Sequence, residues 1–446
     1  MKLLHACIAA AATAAIASAQ SVASGPLDLS LKRAVELAIS PEGSARVQLA
    51  AEALKQAQAQ SAETRAALLP DVESSFTDQS RTENLAALGF NSFALPIPGF
   101  QIPAFVGPFT TTDARITGNQ SVFDFSSIRR FQASKIAVAA ARSDTGNTAE
   151  QVASQVALAY LAAVRADADV ESAQANVTLS EALLRQAEIQ KEAGTGTGIE
   201  ITRARVQLAN DRQHLLVAQN TRHSAHLQLL RAMNMRLDLD VHLTDTLQYV
   251  PVDAVTVAEA QSQALRDRPD LQAQHEREAN ARLSASATKM ERLPSLRAFG
   301  DYGAIGTGLE NSLPTRTVGI SLSIPLFDGG RRDARRAEAA SQYRAQRVRT
   351  TDLEEQIQLD VRLALDSLQS ADDQVKVARE GLGLSENELA QARRRYEAGV
   401  AISLEVTDSQ TRLERARDNQ TEALYNYNVA RIQLAQAMGR VRQAVQ

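Results

Sequence analysis

Small and apolar residues recur at alternating steps of three and four: Val156, Ala159, Ala163, Ala166, Val170, Ala173, Val177, Ser180, Leu184 and Ala187. The same rhythm returns at Val361, Ala364, Leu368, Ala371, Val375, Ala378, Leu382, Ser385, Leu389 and Ala392, each position 205 residues further on. Alternation of three and four is the seam of a coiled coil, and a constant offset marks an internal duplication. Each seam ends at the same turn, Glu192-Ala193-Gly194 in one copy and Glu397-Ala398-Gly399 in the other. No proline lies between Pro108 and Pro251 or after Pro325, so uninterrupted helix is permitted in both intervals. The pattern predicts a helix from Arg129 to Gly194, near ~100 Å long, and a return helix from Ile199 to Met235 of roughly 55 Å. The second copy predicts Arg331 to Gly399 and a return from Ile402 to Met438, with the rhythm kept in Leu413, Ala416, Gln420, Ala423, Tyr427, Ala430, Leu434 and Ala437.

The segments before the long helices have a different period. Thr317 to Ile324 alternates strictly between polar and apolar, the signature of a strand with one apolar face, and Ser295 to Gly303 is its partner. Asp71 to Asp78 and Thr111 to Phe123 form a weaker pair in the first copy, with loops from Arg81 to Thr110 and from Ala304 to Pro314. Leading helices run from Ser30 to Leu69 and from Thr256 to Leu293, the latter interrupted near Pro269. The chain thus divides into a first repeat, residues 20–240 (hairpin 71–123, long helical hairpin 129–235), and a second, residues 250–446 (hairpin 295–327, long helical hairpin 331–438).

Charge and leader decide where such an object works. The net charge is −4, from 48 basic and 52 acidic residues, so no basic face for nucleic acid is implied. Met1-Lys2 followed by an apolar stretch to Ile16 and then Ala17-Ser18-Ala19 reads as a signal peptide over residues 1–19, hence an exported chain. Cys7 is the single cysteine and lies within that leader, which excludes disulfides, thiolate metal sites and a cysteine nucleophile from the mature protein. Beyond the leader no apolar run approaches the ~18 residues of a membrane helix, so any membrane passage must be made by strands. Four strands cannot close, since the smallest bacterial barrels have about eight; a dimer or a trimer is required. The fold class is therefore mainly α with membrane β: duplicated coiled-coil hairpins joined to strands of a shared barrel.

Several pieces, in this order and on this duplication, carry a family resemblance. They are Leu29-Ser30-Leu31 with Ala34-Val35 and Leu37-Ala38; Arg268-Pro269-Asp270-Leu271; Leu293-Pro294-Ser295-Leu296; and Pro325-Leu326-Phe327-Asp328-Gly329-Gly330-Arg331. Tyr396-Glu397-Ala398-Gly399 and Leu404-Glu405-Val406-Thr407-Asp408 complete the set. Over essentially its mature length the chain resembles the TolC-type outer-membrane efflux proteins. The resemblance implies a homotrimer, a twelve-stranded barrel in outer-membrane lipid and a periplasmic tunnel of twelve helical strands. It also implies a passive exit that serves an inner-membrane pump, with the turns Ala193 to Thr202 and Ala398 to Thr407, including Gly194, Gly198, Gly399 and Leu404, facing a periplasmic adaptor.

The same resemblance gives roles to four side chains. Glu405 and Asp408, three apart and hence on one helical face, match paired carboxylates that ring the closed inner end of the tunnel. In a generic helix, acids in a first turn merely complement the helix dipole. Tyr396 and Glu200 match members of a hydrogen-bond and ionic lock, whereas Ala401 stands where the family prototype has arginine, so one lock partner is missing. Tyr396 also continues the seam, at the place held by Lys191 in copy one, which is a packing role.

Other motifs have plainer readings. Gly194-Thr195-Gly196-Thr197-Gly198 lacks the lysine and the preceding strand of a phosphate loop and reads as a turn. His223 and His226 share a helical face with no third ligand nearby, and solvated histidines account for them better than a metal site. Asp328-Gly329-Gly330 is a strand-to-helix swivel, where glycines accept unusual dihedrals. Nothing assembles a catalytic site, a cofactor site or a metal site. The expected function is an exit duct of a tripartite efflux or type I secretion system. The competing reading is a periplasmic coiled-coil scaffold without a pore, which has no use for strands with one apolar face.

Overall fold

The structure is a computed structural model that describes residues 27–89, 102–252 and 255–445. The expected signal peptide and part of the first strand-to-strand loop lie outside the described residues. Two helices run the length of the helical part: α3 (Phe125–Glu192, 68 residues) and α7 (Arg331–Glu397, 67 residues). Each has a second column beside it made of two shorter helices. Next to α3 stand α2 (Ala45–Ala66) and α4 (Gly198–Ala232); next to α7 stand α6 (Pro269–Met290) and α8 (Ser403–Ala437). Ser61 meets Ser134 at 3.0 Å in the upper half of α3, and Arg212 meets Glu181 at 2.9 Å in the lower half.

The heptad residues do what their spacing requires. Val156, Ala163, Ala166, Val177, Ser180 and Ala187 are buried on α3, as are Val361, Ala364, Ala371, Val375, Leu389 and Ala392 on α7. Alanine at half of these places lets the helix axes approach closely with few aromatic side chains. The short helices stop at equivalent points. Asn234 (φ 58) and Gly439 (φ 71), 205 residues apart, both take the left-handed conformation that ends a helix. Asn234 Nδ2 donates to the Gly43 carbonyl at 3.2 Å, tying the end of α4 to the start of α2. Arg268 makes the matching tie, donating to Ala437 O (3.4 Å) and pairing with Asp270 and with Asp360 of α7. The Arg268-Pro269-Asp270 motif is thus the joint between α6, α7 and α8.

A belt wraps the joints. It comprises α1 (Leu31–Ile39), α5 (Val257–Asp267), α9 (Val441–Ala444) and a parallel pair of β1 (Leu27–Leu29) with β4 (Val241–Leu243). Tyr160 of α3, 1% exposed, has its single hydroxyl proton shared between Leu29 O and Asp245 Oδ2, each 2.9 Å away, and so anchors the belt. One expectation is corrected here. The leading helix is not continuous from Ser30 to Leu69: it breaks over Ser40 to Ser44, where Pro41 has no N–H to give and Ser44 caps α2. A Cβ at Gly43 would lie 2.4 Å from the Ala38 carbonyl oxygen, so only glycine allows this tight return. The β1–β4 pair, three residues a side, was beneath what periodicity can register.

At the far end, β2 (Asp71–Glu83), β3 (Val106–Phe123), β5 (Ser295–Gly306) and β6 (Leu313–Ser323) form an antiparallel sheet in the order β2-β3-β5-β6. The first hairpin reaches further than expected, to Glu83 and from Val106. Register puts Ile116 between Ser74 and Tyr302, and Ile320 opposite Ala298. One face therefore carries Val72, Phe76, Ile116, Tyr302, Val318, Ile320 and Leu322, each more than half exposed. The other face carries Glu73, Ser75, Asp113, Arg115, Thr117, Asp301 and Thr317. Chain passage from sheet to helix uses Asp124, which caps α3 at Ser126 N (2.9 Å), and Gly329-Gly330, both with positive φ, before α7. Among the described residues no helix is long and apolar enough to cross a membrane.

Placing Asp at both Ile320 and Leu322 puts two charges on the apolar face, each costing about 2–4 kcal/mol near a bilayer midplane. The expected outcome is loss of the protein from the outer-membrane fraction, measured by fractionation and immunoblot. Normal yield there would overturn the facing of the sheet.

Candidate functional site

The ends of the helical hairpins are built twice from one plan. Gly194 (φ 74) and Gly399 (φ 73) follow the last turns of α3 and α7. Thr195 N donates to Gln190 O at 2.9 Å and Val400 N to Arg395 O at 3.0 Å, the same six-residue closure 205 residues apart. The return helices start differently. Thr197 N donates to Glu200 Oε2 at 2.9 Å, so Glu200 caps α4, with Gly198 as its first residue. In the second copy Leu404 and Glu405 occupy the first turn of α8. Ile199, Val400, Ile402 and Leu404 are exposed around the two turns.

Glu405 Oε1 lies 3.3 Å from Arg395 Nε, and Asp408 is exposed one turn further on. Arg395 is a residue the sequence reading missed: it sits in the run Arg393-Arg394-Arg395 at the end of α7 and supplies a cation beside the acids. Tyr396 packs with Leu389, Ala392, Val406 and Leu413, and its hydroxyl donates to Gln190 Oε1 of α3. Seam packing and a polar contact between the two copies are thus combined in one side chain. Glu200 and Tyr396 line the same small cavity, together with Arg203, Thr407 and Gln410. Burial first, then repulsion from the Glu200 carboxylate, raises the Tyr396 hydroxyl above its ordinary pKa.

Behind this cavity lies a polar knot that no motif announced. Ser180 of α3 donates to Asp211 of α4, which also accepts from Gln207 Nε2 at 3.0 Å. Gln410 of α8 donates to Ser180 Oγ at 3.1 Å and to Glu414 Oε1 at 3.3 Å. Ser180, Asp211 and Gln410 are each at most 3% exposed. The knot ties α8 to the first hairpin. Its only sequence signal was a serine within an otherwise apolar seam, and the second copy keeps that serine (Ser385) but has Ala416 in place of Asp211.

One histidine expectation needs correction. His226 is not solvated: its Nε2 meets Asp167 Oδ1 at 3.0 Å between α4 and α3, whereas His223 is exposed. Among the described residues no three or more His, Cys, Asp or Glu side chains converge as a metal site.

Residues 41–235 and 260–440 each match the sequence pattern of the outer membrane efflux proteins, one match per copy. The chain belongs to that family. Among its curated relatives is the pyoverdine export outer membrane protein OpmQ of Pseudomonas putida, 26% identical over 87% of this chain and 82% of that protein. The alkaline protease secretion protein AprF of Pseudomonas aeruginosa is 22% identical over 70% of this chain and 66% of its own. The crystal structure of the Campylobacter jejuni CmeC outer membrane channel superposes with a TM-score of 0.78 at 16% identity, over 92% of this chain and 85% of that one. Family members are channels. The protein is accordingly an outer-membrane exit channel that extends into the periplasm, and the two-faced sheet has no place in a scaffold without a pore.

The knot makes one pH dependence. Burial, reinforced by repulsion from Asp211 and Asp418 and eased by Gln410 and by His214 of α4, lifts the Glu414 carboxyl above the usual range. A raised value in the folded state means that folding favours the protonated acid. That stability is fully present below the unfolded pKa of about 4.3 and is lost as pH rises through the raised value. Glu414→Gln is expected to slow hydrogen exchange in the middle of α8 at neutral pH and to flatten its pH dependence above about pH 4. Exchange identical to the unsubstituted protein at both pH values would remove Glu414 from this account.

Proposed function

We propose that three copies close their sheets into one twelve-stranded barrel and their helical columns into a periplasmic tunnel, forming the passive outer exit of a tripartite efflux or type I secretion system. The observation that carries this reading is the four-stranded sheet with one apolar face, one polar face and two unpaired edges, on β2 and β6. Open strand edges are intolerable in lipid, and β6 of one copy meeting β2 of the next removes them. Residues 20–240 and 250–446 are then the two repeats of each protomer.

The hairpin turns are the inner end. Gly194, Gly198, Gly399 and Leu404, with exposed Ile199, Val400 and Ile402 beside them, offer a periplasmic adaptor an apolar surface on rigid helix ends. Glu405 and Asp408 form the gate: around a threefold axis they make a ring of six carboxylates, tempered by Arg395 at 3.3 Å from Glu405. Tyr396 and Glu200 belong to the lock that keeps the second hairpin against the first, with Tyr396 of α7 bonded to Gln190 of α3. An inner-membrane pump supplies both energy and choice of cargo. The relatives named for pyoverdine export and for alkaline protease secretion support a duct that does not itself select by chemical class.

Extracted in mild detergent and left unboiled, the protein is expected to run at about three times the chain mass, by the strand arithmetic of a closed barrel. A monodisperse monomer from native lipid would remove the architecture.

Single-channel recording tests the gate. An acidic ring prefers cations and is blocked by multivalent cations from the periplasmic side, less so at high salt. Glu405→Ala with Asp408→Ala is expected to abolish the block with the trimer intact, and Arg395→Ala to deepen it. Ala401→Arg is expected to lower the resting conductance by restoring a lock partner. Undiminished block in the double alanine variant would return Glu405 and Asp408 to ordinary helix-start acids.

A further inference from the structure

The polar face of the sheet holds three charges in one arrangement midway along the strands. Arg115 of β3 donates through Nε to both oxygens of Asp113, at 2.9 and 3.0 Å, and through Nη1 to Asp301 Oδ2 of β5, at 3.0 Å. Asp113 is two residues away on the same strand and therefore on the same face. Register sets Arg115 between Ser75 of β2 and Gly303 of β5, and Asp301 between Thr117 and Thr317.

The neighbouring glycine explains how a long cation stays against the wall. A Cβ at Gly303 would lie 2.3 Å from Arg115 Cβ and 2.4 Å from the Ala114 carbonyl oxygen, so no other residue leaves room for this crossing. The same device recurs one step along the face, where a Cβ at Gly319 would lie 2.7 Å from the Phe299 ring. The Phe299 ring lies over Gly319, whereas at Gly303 it is the β3 backbone and the first side-chain carbon of Arg115 that come close. Pinned at two carboxylates, the guanidinium has no freedom to swing outward as a free cation.

The charges decide what such a wall offers a solute. Two carboxylates and one guanidinium leave the triad with a net single negative charge per chain, and Glu73, on the same face beyond Thr117 in the row of Asp301, adds a second that Arg115 does not contact. We propose that Arg115 sets the ionic preference of the barrel half of the duct, by cancelling one of the Asp113–Asp301 charges and holding the wall mildly acidic rather than strongly so. The proposal rests on the reading that this face lines the duct. It is distinct from the gate, because the triad lies on the sheet and Glu405 and Asp408 lie at the far end of the helices. Strong acidity here would hold multivalent cations; a net positive wall would hold organic anions. A compensated wall lets solutes of either charge leave while favouring cations slightly.

Thiol labelling from the outer side tests both steps without requiring passage through the gate. With Cys7→Ser as background, Ser75→Cys places a probe directly opposite Arg115, and Ile320→Cys places one on the apolar face. Trimers in liposomes are treated with cationic and anionic methanethiosulfonates of equal size, and the ratio of their reaction rates is read. Ser75→Cys is expected to react and Ile320→Cys to remain unreacted. Adding Arg115→Gln to Ser75→Cys is expected to raise the cation-to-anion rate ratio by about fivefold or more, the effect of removing one charge some ~5 Å away in a watery lumen. Arg115→Lys is expected to restore the original ratio, and Asp113→Asn with Asp301→Asn to lower it. An unchanged ratio in both the Gln and the double Asn variants, with Ser75→Cys still reactive, overturns the role of Arg115 and leaves the lining face in place. Ile320→Cys reacting as fast as Ser75→Cys overturns the reading beneath it.

Discussion

Backbone amides in a hydrocarbon layer have no water to bond, and this constraint governs the molecule from the sheet downward. A sheet of four strands with one apolar face satisfies its own middle and leaves the outer edges of β2 and β6 open. Its two faces differ as sharply as the constraint demands. Val318, Ile320 and Leu322 stand on one side, while Asp113, Arg115 and Asp301 pair among themselves on the other. Among the described residues neither edge is paired with a further strand. Their length and regularity point to other copies of the same strands.

The helical part answers a different demand, that of length without bulk. Seams built mainly of alanine and valine let α3 and α7 run the full height with a second column packed closely beside each. Continuous second columns would have carried the same seam. The chain instead splits them and rejoins the halves at Asn234 with Gly43 and at Arg268 with Ala437. The belt of α1, α5, α9 and the β1–β4 pair closes over these joints, with Tyr160 bonded to it from inside. Strength is thereby concentrated where the columns are discontinuous.

Near the inner end the two copies are no longer equivalent, and function enters through that difference. Copy one carries a buried carboxylate, Asp211, bonded to Ser180; copy two has Ala416 at the same place. Copy two carries Tyr396 and Arg395, where copy one has Lys191 and Gln190. The result is that the second hairpin is held to the first by polar contacts, through Gln410 of α8 to Ser180 and Tyr396 of α7 to Gln190, rather than by apolar burial alone. Polar contacts of this kind are specific in geometry and can be exchanged for water at modest cost.

Periodicity alone determined the duplication, the long helices, their turns and the clearest strand, because heptad and two-residue repeats arise from local geometry that neighbouring residues impose on one another. Val156 to Ala187 and Thr317 to Ile324 were legible for that reason. The acids Glu405 and Asp408 and the aromatic Tyr396 stood out by residue type and position. What the tertiary structure decided were contacts between residues far apart in the chain. These include Glu405 with Arg395 across a turn, Tyr396 with Gln190 across 206 residues, and Gln410 with Ser180 across 230. It also broke the first leading helix at Gly43, paired β1 with β4, set the half-buried His226 against Asp167 and brought Arg115 onto Asp113 and Asp301. None of these leaves a repeat in the sequence, since each depends on which side chains the fold brings within a few ångströms and not on the spacing of either along the chain.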